Sequence, residues 1–247
     1  KFHLLLNLES YMHQSHPEFT QFTTWIYPQE EWDRIIDYSN SKLLDIVALC
    51  DDVESIEYIV RNNKTVSAIE LHSTGLNDYF LLEAASKYEG QVILGIGGST
   101  PDEIQYAVNF LKQREKNNIL LMYGFQSYPT NYSDINLSKI IKIKALFNLP
   151  VGYADHTAFD DPYNEIVSVM GAMMGINVLE KHYTPDYGKE RIDYHSAAGK
   201  EQMKSIRELM KLALTVYGSD GADMSESELK YGQTGLMKKT IVARENI

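Results

Sequence analysis

Short apolar runs alternate with longer amphipathic stretches along almost the whole chain, and this alternation restricts the fold more than any other feature. Runs of strand length lie at 1–6, 44–49, 66–71, 91–95, 118–123, 150–153 and 176–180. Stretches with helical spacing follow at 28–41, 53–62, 77–88, 101–115, 134–147, 161–174 and 199–217. A strand followed by a helix, repeated in tandem, predicts an α/β protein with a parallel sheet, because parallel neighbours need a crossover that returns the chain to the same end. With no break in composition before about residue 218, the expectation is a (β/α)8 TIM barrel lacking its first strand. A doubly wound open sheet is the alternative. No Gly-x-Gly-x-x-Gly follows a strand, however, and Gly95-Ile-Gly-Gly98 reads as a tight strand-to-helix turn.

Local signals agree with this division. Thr100-Pro101-Asp102-Glu103 places an N-cap, a first-turn proline and a capping-box glutamate at one helix start. Met203, Ile206, Leu209, Met210, Ala213, Leu214 and Tyr217 share a helical stripe, so the methionines there are expected to be core. From 219 to 235 the chain is polar and Gly-rich, which predicts a linker into a further domain, 1–218 being the catalytic domain. The chain opens without Met on a strand-like run and stops just after another, so both ends are expected to be cut.

Charge and cysteine content narrow the partners. In 247 residues, 23 Lys and Arg face 34 Asp and Glu, a net charge of −11 that disfavours nucleic acid and anionic membranes. Cys50 is the one cysteine and is expected to be a small core residue; with no disulfide, no signal peptide and no apolar run near the ~18 residues of a membrane span, a cytoplasmic protein is expected.

In a barrel, chemistry gathers at the C-terminal ends of the strands. The ends here carry Glu70-Leu-His72-Ser73, Gly95-Ile-Gly-Gly98, Tyr123-Gly-Phe-Gln-Ser-Tyr128, Gly152-Tyr-Ala-Asp-His156 and Glu180-Lys-His182. His156 and His182 close consecutive strands, whose ends lie about 5 Å apart, so both imidazoles can reach one divalent ion, Mn, Zn, Fe or Co being better suited than Ca. Asp155 and Glu180 are expected on the opposite side, as outer partners of an imidazole N–H. Lys181 reads as a counter-ion, an anion ligand or a solvated loop residue. In the loop from Tyr183 to Ser196, Asp193 is a candidate to accept a sugar hydroxyl or act as general base, and Arg191 to grip a carboxylate or phosphate. The alternative for these two is a surface ion pair with each other. His13 and His16 carry no spacing signal, and His3 and His195 are expected to be structural or surface residues.

Taken together, Pro150-Val-Gly-Tyr-Ala-Asp-His-Thr157, Gly175-Ile-Asn-Val-Leu-Glu-Lys-His-Tyr-Thr184 and Asp193 with Ser196 closely resemble the sialic acid synthase (N-acetylneuraminate synthase) family. Val92 to Ile104, Tyr128-Pro-Thr, Asp134-Ile-Asn-Leu137, Lys1-Phe2 and Lys239 to Arg244 extend the likeness over nearly the whole chain, weakly in 7–27. The resemblance implies a TIM barrel, the start of a C-terminal antifreeze-like domain in 219–247, and a homodimer. It implies a reaction in which phosphoenolpyruvate condenses with the aldehyde of an N-acylated hexosamine, assisted by Mn or Mg on His156 and His182. It further implies that Tyr128, Asp193 and Ser196 contact substrate, that Lys1 binds phosphate, and that Gln126 stands where the family has Asn. The family's Lys-Ile-Ala-Ser is here Glu70-Leu-His-Ser73, which keeps the serine of the phosphate shell but replaces a cation by an anion; two further serines of that shell become Gly95 and Ala154.

Three readings are open at this point. The first is the phosphoenolpyruvate-dependent synthase. The second is a metal-dependent aldolase, epimerase or hydrolase acting on a sugar, with Glu70 as a new acid or base. The third is a homologue that has lost activity. If Glu70 lies in the cavity with a perturbed pKa, an acid or base role gains; if it pairs with a lysine or arginine, a rebuilt anion site gains.

Overall fold

A computed structural model describes residues 1–61, 64–125, 127, 130–218, 221, 223–233 and 244–245. Its centre is a seven-stranded, wholly parallel sheet in chain order: β1 (Phe2–Leu4), β2 (Val47–Cys50), β3 (Ala68–Leu71), β4 (Gln91–Gly95), β5 (Ile119–Tyr123), β6 (Val151–Asp155) and β7 (Val178–Lys181). Two short helices, α1 (Leu8–Tyr11) and α2 (Phe19–Phe22), precede α3 (Gln29–Ser41) in the first crossover. Then come α4 (Val53–Arg61), α5 (Tyr79–Ser86), α6 (Pro101–Lys112), α7 (Tyr132–Ile135), α8 (Ser138–Phe147), α9 (Asn164–Met173), α10 (Lys200–Tyr217) and α11 (Glu226–Gln233).

The predicted alternation is therefore present, with three differences. The expected helix at 134–147 is two helices, because Asn136 takes a left-handed conformation at φ 45° and breaks the ladder between α7 and α8. The expected linker at 219–235 contains α11. The stripe on α10 is core only in part: Ile206 is buried, whereas Leu214 and Tyr217 are exposed.

The middle strands, β3 to β6, separate two apolar layers. Outward residues such as Ile69, Leu71, Val92, Leu94, Leu121 and Tyr153, together with Cys50, pack against the helices in the main core. Inward residues Ala68, Ile93, Leu120, Met122 and Ala154 form a second, smaller cluster inside the curl. The sheet curls far enough that Lys1, just ahead of β1, reaches Glu180 on β7 at 2.6 Å. Among the described residues no backbone pairing joins β7 to β1, so the expected TIM barrel is here a curled seven-stranded sheet bridged by side chains. No helix of the described residues is long and apolar enough to cross a membrane.

Two glycines allow the turns above the sheet to close. A Cβ on Gly97 would lie 1.9 Å from the Gly124 carbonyl oxygen, and one on Gly124, at φ 138°, would lie 2.2 Å from the Ala154 carbonyl oxygen. Since the obstruction is backbone, Gly97→Ala is expected to cost about 3 kcal/mol, read as a lowered midpoint in urea denaturation.

Candidate active site

Side chains alternate across a strand, so residues two apart share a face. Applied to the inward face, that parity assembles the site: Lys1 and His3 at β1, Glu70 and His72 at β3, Ala154 and His156 at β6, Glu180 and His182 at β7. They line a cavity of about 1210 Å3, floored by the inner apolar cluster and roofed by the loop that carries Asp193.

On one wall the rings of His156 and His182 stand 5.1 Å apart, with planes inclined at 67°. Their strands are in register, Asp155 beside Lys181, so one further step along each brings both imidazoles to the mouth together. Burial, helped by the neighbouring His182, pushes His156 down to about 4, and burial also lowers His182 against the pull of Asp193. Both rings are thus neutral at pH 7, the form that can donate a lone pair to a cation. Among the described residues no group of three His, Cys, Asp or Glu is arranged to hold a metal ion; the inward parity brings two imidazoles together.

The long loop is tied down beside β7. Ala198 N–H donates to the His182 carbonyl at 2.8 Å, and Thr184 N–H donates to Ala198 at 3.0 Å. This anchorage sets Asp193, in a left-handed conformation at φ 59°, with Oδ2 3.6 Å from Nδ1 of His182. Arg191 also lines the cavity and pairs with Asp186 rather than with Asp193, the alternative partner read from the sequence.

Below the imidazoles, where β7 approaches β1 and β3, an ionic group adjoins the apolar floor. Lys1 Nζ donates to Glu70 Oε1 at 3.1 Å and to Glu180 Oε1 at 2.6 Å. Burial lowers the Lys1 pKa, but the two carboxylates outweigh it and hold the ammonium above its ordinary value. Burial pushes the Glu70 carboxyl up to about 7, Lys1 opposing and Glu180 adding to the rise. Above this floor His3 Nδ1 lies 3.2 Å from Asp51 Oδ2, and the pairing raises the imidazole against the effect of burial.

Several expectations are corrected. Glu180 is two residues from His182, not one, and so shares its face and lines the cavity. Asp155 does face away, but its partners are Lys181 at 2.8 Å and the hydroxyls of Thr157 and Ser168, not an imidazole of the pair. Lys181 is accordingly neither a loop residue nor an anion ligand; its side chain is 1% exposed. Ser196, at the end of the loop, is wholly buried and is not among the residues lining the cavity, whereas Ser73 lines it. His3, expected to be structural or at the surface, faces the cavity. His13 and His16 are exposed away from it. Gln126 and Tyr128 lie outside the described residues.

The NeuB family profile matches residues 7–221. An uncharacterized protein of Methanocaldococcus jannaschii is 29% identical over 239 residues, 97% of this chain and 68% of its own length. The N,N'-diacetyllegionaminic acid synthase of Legionella pneumophila is 25% identical over 223 residues; the match takes in 89% of this chain and 60% of that enzyme. Among solved structures, the N-acetylneuraminic acid (sialic acid) synthetase of Leptospira borgpetersenii, in complex with citrate, aligns with a TM-score of 0.83 at 25% identity over 95% of this chain and 79% of that one. A match that runs through every strand from β2 to β7 and the loop bearing Asp193 leaves one assignment: the chain belongs to the NeuB family.

Proposed function

We propose that this chain is the catalytic part of a synthase that condenses phosphoenolpyruvate with the open-chain aldehyde of an N-acylated hexosamine, giving a sialic-acid-like nonulosonate. The observation that carries the reading is the pair of neutral imidazoles 5.1 Å apart over the cavity, in a chain of this family. His156 and His182 would hold a divalent ion, Mn or Mg, which when bound polarises the acceptor aldehyde oxygen.

The remaining work falls to the chain itself. Asp193, above His182, is positioned to accept a hydroxyl of the acceptor sugar and to orient the His182 ring. Lys1 supplies positive charge at the floor, where the donor's phosphate is placed by this reading. The donor's C3 forms the new bond to the aldehyde carbon, water adds at C2, and inorganic phosphate leaves. A volume of about 1210 Å3 accommodates two small substrates at once. Glu70 lies in the cavity with its carboxyl raised to about 7, which supports the acid or base role, and it pairs with Lys1, which supports a rebuilt anion site; on this point the reading proposed here rests on the pairing. By family resemblance we further propose a homodimer in the cytoplasm.

The test is release of inorganic phosphate in mixtures of phosphoenolpyruvate, an N-acylated hexosamine and Mn. Release that requires all three, with a nonulosonate identified by mass spectrometry, is the expected result. Consumption of the sugar without phosphoenolpyruvate would support the aldolase, epimerase or hydrolase reading instead.

A further inference from the structure

Among the described residues, Glu70 Oε2 is buried and accepts no hydrogen bond, while Oε1 accepts one from Lys1. Glu70 is 4% exposed and lies in the wall of the cavity. A buried carboxylate oxygen without a donor is costly while the group is charged, and a proton on that oxygen removes the cost. Lys1 meanwhile is shared by two carboxylates, so the trio Lys1, Glu70 and Glu180 carries one net negative charge when all are ionised. Such a floor repels the very anion that a lysine in a substrate cavity would be expected to bind.

We propose that Glu70 is a proton-operated gate on an oxyanion subsite at Lys1: protonated, it leaves the Lys1–Glu180 pair with no net charge and gives up its own hold on the ammonium, which can then donate to a phosphate or sulfate group; ionised, it closes the subsite. The inference rests on the reading above in so far as the natural oxyanion is the phosphate of phosphoenolpyruvate. Oxyanion binding then takes up one proton from solvent onto Glu70, and no other bond changes.

The charged neighbours of Glu70 are few and fix the direction. Lys1 and His3 face it from β1, Glu180 from β7, and Asp51 stands at the end of β2; β4 presents only Ile93 and Gly95. With Glu70 near neutrality, elevated by burial, the gate operates within the ordinary range of pH. Affinity is high below that point and falls as pH rises through it.

Sulfate is the primary probe, because its charge is constant over this range. Titration calorimetry on the full chain is expected to give a sulfate affinity about tenfold lower at pH 8 than at pH 6, the loss for one proton released near pH 7. Glu70→Gln, checked for folding by its melting curve, is expected to bind sulfate equally at both pH values, and Lys1→Met to bind it at neither. The gate is overturned if wild type shows no pH dependence, if Glu70→Gln keeps it, or if no sulfate binds at pH 6. Repeating the titration with phosphoenolpyruvate separates the two ideas. A gated sulfate site that refuses phosphoenolpyruvate keeps the gate and ends the synthase reading; turnover of phosphoenolpyruvate with ungated sulfate binding does the reverse.

Discussion

His182→Ala is expected to abolish binding of Mn and to lower phosphate release by about 1000-fold or more, while melting within about 3 °C of wild type. The asymmetry follows from the position of the ring. The His182 side chain is 19% exposed at the mouth of the cavity, so truncation leaves no void in the packed layers. Its partner His156 is 7% exposed, and the corresponding alanine would mix loss of a ligand with loss of packing. Neither ring is charged at pH 7, and so His182→Ala removes a lone pair and little else of electrostatic consequence. Electron paramagnetic resonance of free Mn measures the binding directly. An unchanged affinity together with an unchanged rate would show that the imidazole pair is not the metal centre.

The parity that brings these rings together is also what made much of the site legible. Strands of a curled sheet cannot choose their inward residues freely: once His156 and His182 face in, Ala154 and Glu180 must follow. Reading Glu180 as an outer partner of an imidazole overlooked that two-residue step. The same step from Lys1 reaches His3, and from Glu70 reaches His72, both of which face the cavity. Other features have no local signature. Lys1 and Glu180 are 179 positions apart, and only closure of the curl brings them together. The partner of Arg191 is set by the path of a non-periodic loop, where no repeat says which carboxylate lies in reach. Asn136 is among the few non-glycine residues that accept a left-handed backbone, yet asparagine inside an amphipathic stretch gives no warning that it will do so.

Asp155→Asn is expected to destabilise the fold by about 3–5 kcal/mol, although the two side chains have nearly the same shape. The side chains of Asp155 and Lys181 are 0% and 1% exposed, and the carboxylate also accepts from Ser168 at 2.5 Å and from Thr157 N–H at 2.9 Å. Burial pushes the Asp155 carboxyl up, yet Lys181 and these donors hold it below its ordinary value, so it is ionised at pH 7. An amide there leaves the Lys181 ammonium buried without its counter-charge, and that orphaned charge accounts for most of the cost. Adding Lys181→Met should therefore recover most of the loss, since the double variant buries no charge at all. Equilibrium urea denaturation followed by circular dichroism measures both. A single variant costing under about 1 kcal/mol, or a double variant no better than the single, would refute the account. The pair matters beyond stability because each member immediately precedes one of the two imidazoles, on strands whose register aligns Asp155 with Lys181. Clamped from the helix side, those two residues fix how far each strand end projects, and hence where the rings at 156 and 182 meet across the cavity; Asp155→Asn should weaken Mn binding as well as the fold.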